Sequence, residues 1–109
     1  MENLSVQIVR FVEEYQPPIV ESEFYDADGH RHTFVEKVAI FTSEWLRPDS
    51  IYPQPGGIRC EIVARWQDSR GRELVRISTE RPDGVESTQG LSQFVVVSTQ
   101  LSPILTETV

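Results

Sequence analysis

The chain has 109 residues, 39% of them hydrophobic and 25% charged, and a formal net charge of −7. This size and apolar content suit one domain with its own core and argue against disorder. The acidic balance repels phosphate backbones and anionic lipid headgroups, so neither nucleic acid nor a membrane is an expected partner.

In chain order, Leu4 to Glu13 reads as a first strand carrying Val6, Ile8, Val9, Phe11 and Val12. Pro17-Pro18 interrupts it, because proline brings no N–H to a ladder. A second strand is expected from Ile19 to Tyr25 and a third from His30 to Phe41, with a bulge or bend at Glu36-Lys37 where alternation fails. Between them, Asp26-Ala27-Asp28-Gly29 has the residues of a tight turn. Asp accepts bonds from backbone two residues on, and Gly supplies the positive φ. Pairing through this turn sets Tyr25 opposite His30, Glu23 opposite His32 and Glu21 opposite Phe34.

Thr42 to Gly57 has no period and reads as a long loop, with Ser43 capping one helical turn over Glu44–Arg47 and Pro48 stopping it. Loops of this length commonly serve function or cover a core. The fourth strand is expected from Ile58 to Gln67, with Ile58, Cys60, Ile62, Ala64 and Trp66 facing in. A second Asp-x-x-Gly turn, Asp68-Ser69-Arg70-Gly71, returns it as a fifth strand. That register faces Ala64 with Val75, Ile62 with Ile77, Arg59 with Glu80 and Val63 with Arg76. A short strand at Val85–Thr88 and a last strand from Leu91 to Thr99 complete a domain of residues 1–101, with 102–109 expected as a flexible tail. About six antiparallel strands built from hairpins imply an all-β fold, a small barrel ahead of a two-sheet sandwich.

The single cysteine, Cys60, excludes an internal disulfide and a multi-cysteine zinc site, and its inward position reads as core. Met1 to Ser5 lacks a basic head with an apolar run, and no apolar stretch reaches spanning length, so a cytoplasmic location is expected. Ser87 lies in Glu86-Ser87-Thr88-Gln89-Gly90, which is no hydrolase elbow, and Gly56-Gly57 has no phosphate-loop context.

Two constellations remain. His30 and His32, with Glu23 and Asp26, could converge on one hairpin face as a metal or acid–base site. The pattern is common on solvated strands, so no metal or other cofactor is the first expectation. Trp45, Leu46 and Tyr52 in the long loop, with Trp66 on the fourth strand, are the candidate contacts for a protein partner. A basic partner suits the charge, and self-association through a free strand edge is a further expectation. The sequence thus reads as a non-enzymatic interaction module, with a His-centred enzyme as the alternative.

Overall fold

The computed structural model describes residues 1–14 and 16–104. It contains seven strands: β1 (Glu2–Glu13), β2 (Ile19–Tyr25), β3 (Arg31–Lys37), β4 (Gln54–Gln67), β5 (Glu73–Ser78), β6 (Gln93–Val97) and β7 (Leu101–Pro103). All the pairings are antiparallel, in the order β3-β2-β1-β4-β5-β6, with β7 beside the start of β1. The sheet curls into a half-barrel, as the all-β reading expected. The Ala27 N–H donates to Val95 O at 2.9 Å and the Thr88 N–H to Thr33 O at 2.8 Å, tying the first hairpin to β6 and to the loop that precedes it.

Alternation explains the core. Leu4, Val6 and Ile8 of β1 are buried while Ser5 and Gln7 are exposed. They pack with Val20 and Phe24 of β2, Phe34 of β3, Ile58 and Cys60 of β4, Val75 and Ile77 of β5, and Phe94 and Val96 of β6. Gly56 and Gly57 lie inside β4 and permit close approach. A Cβ at Gly56 would sit 3.0 Å from Ile8 Cδ1, and one at Gly57 would collide with the Asn3 side chain.

The structure corrects several expectations. The third strand ends at Lys37, and a helical turn, α1 (Val38–Phe41), follows it. Helical spacing puts Val38 and Phe41 on one side, where both are buried; an extended chain would face them apart. Glu44–Arg47 is not helical, as Pro48 disfavours helix at the residue before it. The irregular segment is shorter than expected, because Gln54–Gly57 already pairs with β1. Val85–Thr88 forms no strand; Thr79 Oγ1 donates to Val85 O at 2.7 Å and holds it as a loop with Val85 and Ser87 buried. The last long strand is trimmed to Gln93–Val97, and β7 carries Ser102 and Pro103 past the expected boundary at 101. Residues 105–109 of the expected tail lie outside the described residues.

Both hairpin registers differ by one residue at the turn. Tyr25 faces Arg31 and Gln67 faces Glu73, because the positive-φ Gly29 and Gly71 (φ 80° and 79°) each add a residue after the turn's backbone bonds. In β2–β3 the offset persists, so Phe24 faces His32 and Ser22 faces Phe34. In β4–β5 a bulge at Val63 cancels it. Trp66 faces Leu74, Arg65 faces Val75 and Ala64 faces Arg76, yet Ile62 faces Ile77 as expected. Ala64 and Trp66 are therefore exposed, and Arg59 bonds Asp83 rather than Glu80.

Two buried hydroxyls give a direct test of the packing. Ser22 Oγ has no partner among the described residues, whereas the Thr79 hydroxyl satisfies Val85 O. Urea melts should show Ser22→Ala neutral or stabilising by up to about 1 kcal/mol, and Thr79→Val destabilising by about 1–3 kcal/mol.

Candidate functional site

The two Asp-x-x-Gly turns share one geometry. Asp26 Oδ1 accepts the N–H groups of Asp28 (2.9 Å) and His30 (3.0 Å), and Asp68 Oδ1 accepts those of Arg70 and Arg72 (both 2.9 Å). A third turn of the same kind, at Ser87–Gly90, was missed in the sequence because Ser replaces Asp. Ser87 Oγ accepts the Leu91 N–H at 3.1 Å, and the Gly90 N–H donates to Ser87 O at 2.8 Å. Ser87 is thus a turn residue.

The register divides the histidine set. Asp26, His30 and His32 come together: Asp26 Oδ2 lies 2.8 Å from His32 Nε2 and 3.7 Å from His30 Nδ1. Glu23 points to the other face, bonded to Arg31. The His32 ring is largely buried, 5.2 Å from the Phe24 ring and 4.8 Å from the Phe94 ring, so it fills the seam of the half-barrel. Asp28 joins Asp26 and His30 in a group whose ligand atoms lie within 4.8 Å of one another. Yet both Asp26 oxygens are committed, one to backbone and one to His32. The arrangement explains a rigid turn without invoking a metal.

The aromatic candidates separate as well. Leu46 is buried in the core and Tyr52 packs against it, its hydroxyl donating to Arg47 O at 2.6 Å. Trp45 stands out, 81% exposed, on the rim of a groove of about 290 Å³ whose walls include Pro17, Pro18, Val38, Ala39 and Leu46. Neighbouring Ile51 is 83% exposed. Trp66, 38% exposed, lies under the Arg76 guanidinium, 6.0 Å from the ring centroid. It sits by the Asp68–Gly71 turn, where Arg72 Nη1 donates to Ala27 O at 3.3 Å, so both hairpin turns share one end. Trp45 lies at the other end of β2, seven residues or ~23 Å away. Trp45 and Trp66 cannot form one patch.

Three arginines of the β4–β5 hairpin are paired. Arg59 grips Asp83 with two bonds (3.1 and 2.6 Å), Arg65 meets Glu73 at 3.1 Å, and Arg72 meets Asp68 at 2.8 Å. Cys60 is fully buried, and that burial, helped by the charge of Glu2, pushes its thiol up to about 11.

No family model, curated protein or solved structure matches this chain. The site's chemistry must therefore be read from its own residues.

Burial opposes ionisation of Asp26, but the bonds from His32 and from the His30 and Asp28 N–H groups outweigh it and hold the carboxyl below its ordinary value. A lowered carboxyl adds stability that is present above its unfolded value and lost as pH falls through its folded one. Urea melts at neutral pH and below about pH 4 should therefore show a larger acid loss in wild type than in Asp26→Asn. Equal losses would mean that the pair contributes nothing. For Cys60, a thiol reagent should leave the native protein unmodified and label it only after unfolding; rapid native labelling would contradict a sealed core.

Proposed function

We propose that this protein is a non-enzymatic interaction module that seats an extended segment of another protein in the groove beside Trp45. The observation that carries this reading is Trp45 itself, 81% exposed on the rim of an apolar groove whose adjoining Leu46 is buried. A large, stiff aromatic side chain beside a preformed concavity is the usual anchor of a protein interface. Leu46 and the two prolines supply a floor and wall with little conformational freedom to lose on binding.

The net charge of −7 favours a partner with basic residues flanking an apolar anchor, since opposite charge speeds and orients encounter. Of the four contacts expected from sequence, Trp45 and Leu46 belong to this surface, Tyr52 braces the loop, and Trp66 lies elsewhere. Chemistry at His30, His32, Glu23 and Asp26 has less support. The Trp45 groove includes none of those residues, and Glu23 is turned away. No helix among the described residues is long and apolar enough to cross a membrane. A cytoplasmic setting fits the unpaired Cys60.

A random-peptide library panned against the full chain tests the proposal. Enriched sequences should combine an apolar anchor with basic residues. Their affinity should fall at least about tenfold in Trp45→Ala and hold in Trp66→Ala. Trp45→Ala should itself shift stability by under about 0.5 kcal/mol, as expected for an exposed side chain. No enrichment, or peptides indifferent to Trp45, would sink the reading.

A further inference from the structure

We propose that the protein pairs with a second copy of itself through the free side of Glu61–Gln67, as an antiparallel β4–β4 ladder centred on Ala64. The surface is distinct from the Trp45 groove.

The free side follows from the topology. β1 runs beside β4 as far as the Glu2–Cys60 pair, and β5 occupies the opposite side of Glu61–Gln67. Among the described residues no strand pairs with the remaining side. Glu61 and residues 63–67 are exposed there, Val63 at 52%, with Ile62 half-buried. The bulge leaves Val63 without a counterpart on β5. An unpaired backbone edge is a template for another strand.

The segment is complementary to itself. A two-fold axis through Ala64 sets that residue against its own copy and Val63 opposite the second copy's Arg65, while the bulge keeps Ile62 and Glu61, beyond it, out of the ladder. No charge faces a like charge, and Arg65 is already met by Glu73 at 3.1 Å. The neighbouring registers are worse. An axis through Arg65 would oppose two guanidiniums. An axis through Val63 would bring the second copy's Trp66 to Cys60, where β1 already lies. Although the chain is acidic, Arg59, Arg65, Arg70, Arg72 and Arg76 all lie on this hairpin, so two copies meet at its least acidic part. The bulge adds twist and limits the ladder to a few residues, so the dimer is expected to be weak.

Sedimentation of the full chain from about 5 to 500 μM tests this, a range that brackets a micromolar dimer. The apparent mass should rise toward twice the chain mass. Ala64→Lys, at an exposed position, should keep the wild-type melt and weaken association at least about tenfold by opposing two ammonium groups at the axis. Ala64→Cys should form a disulfide dimer on mild oxidation, with the buried Cys60 left unreacted. Trp45→Ala should associate like wild type, so the dimer and the peptide groove can fail separately. A monomer throughout the range, association unmoved by Ala64→Lys, or no disulfide at Ala64→Cys would each overturn the proposal.

Discussion

β4 belongs to both halves of the sheet, and the remaining architecture follows from that sharing. Its first half, Gln54–Cys60, lies against β1; its second half, Glu61–Gln67, lies against β5. Fourteen residues in one strand would form a nearly straight rod if nothing bent it. Two devices let it serve a curved sheet. Gly56 and Gly57 allow Ile8, Phe41 and Asn3 to close over the first half. The Val63 bulge turns the second half and resets its register. Without the bulge, the one-residue offset from the Gly71 turn would carry to Ile62 and place it against Ser78 instead of Ile77. The bulge therefore keeps the core continuous across the bend.

Curvature leaves a seam between the first hairpin and β6, and the seam is filled by rings. Phe24, Phe34, Phe94 and His32 lie with centroids 4.8–5.9 Å apart, a spacing suited to edge-to-face and offset contacts. A histidine among three phenylalanines needs a partner for its polar edge, and Asp26 provides it from the turn that begins the hairpin. The same carboxylate organises the turn through two backbone N–H groups. One aspartate thus couples local turn chemistry to closure of the half-barrel. The second turn has the same backbone geometry, but there Arg72 takes the place of His32 and the pair is more solvent-exposed.

The sequence disclosed the strands better than it disclosed what they face. β2 falls at Ile19–Tyr25 as alternation and flanking turns implied, and Ile58 and Cys60 are buried as the fourth-strand pattern required. The registers were not legible because Asp-x-x-Gly reveals a turn, while the extra residue at its glycine depends on how the backbone bonds close. A one-residue error exchanges faces. That error joined Glu23 to the histidines and placed Ala64 and Trp66 inside. The Ser87–Gly90 turn had a signal, the same four-residue spacing ending in glycine, but serine in place of aspartate hid it. Trp45 and Leu46 show the remaining limit. The residues are adjacent, yet one is exposed and the other buried, a distinction set by tertiary packing of an aperiodic loop.

Exposed apolar residues alone argue little for function, since every soluble protein has some. What separates Trp45 and the Val63–Trp66 edge from that background is the company each keeps. Trp45 adjoins a concavity whose shape is held by prolines and a buried leucine. The β4 edge adjoins unpaired backbone, which can accept a further strand independently of side-chain hydrophobicity. The two surfaces lie at opposite ends of β2, so occupancy of one leaves the other open. A two-fold pairing at β4 would therefore present two Trp45 grooves from one rigid sheet. For a ligand carrying two suitable segments, the second contact becomes intramolecular, and a modest groove can give firm binding through effective concentration. A groove as small as this one, of about 290 Å³, would gain the most from such an arrangement.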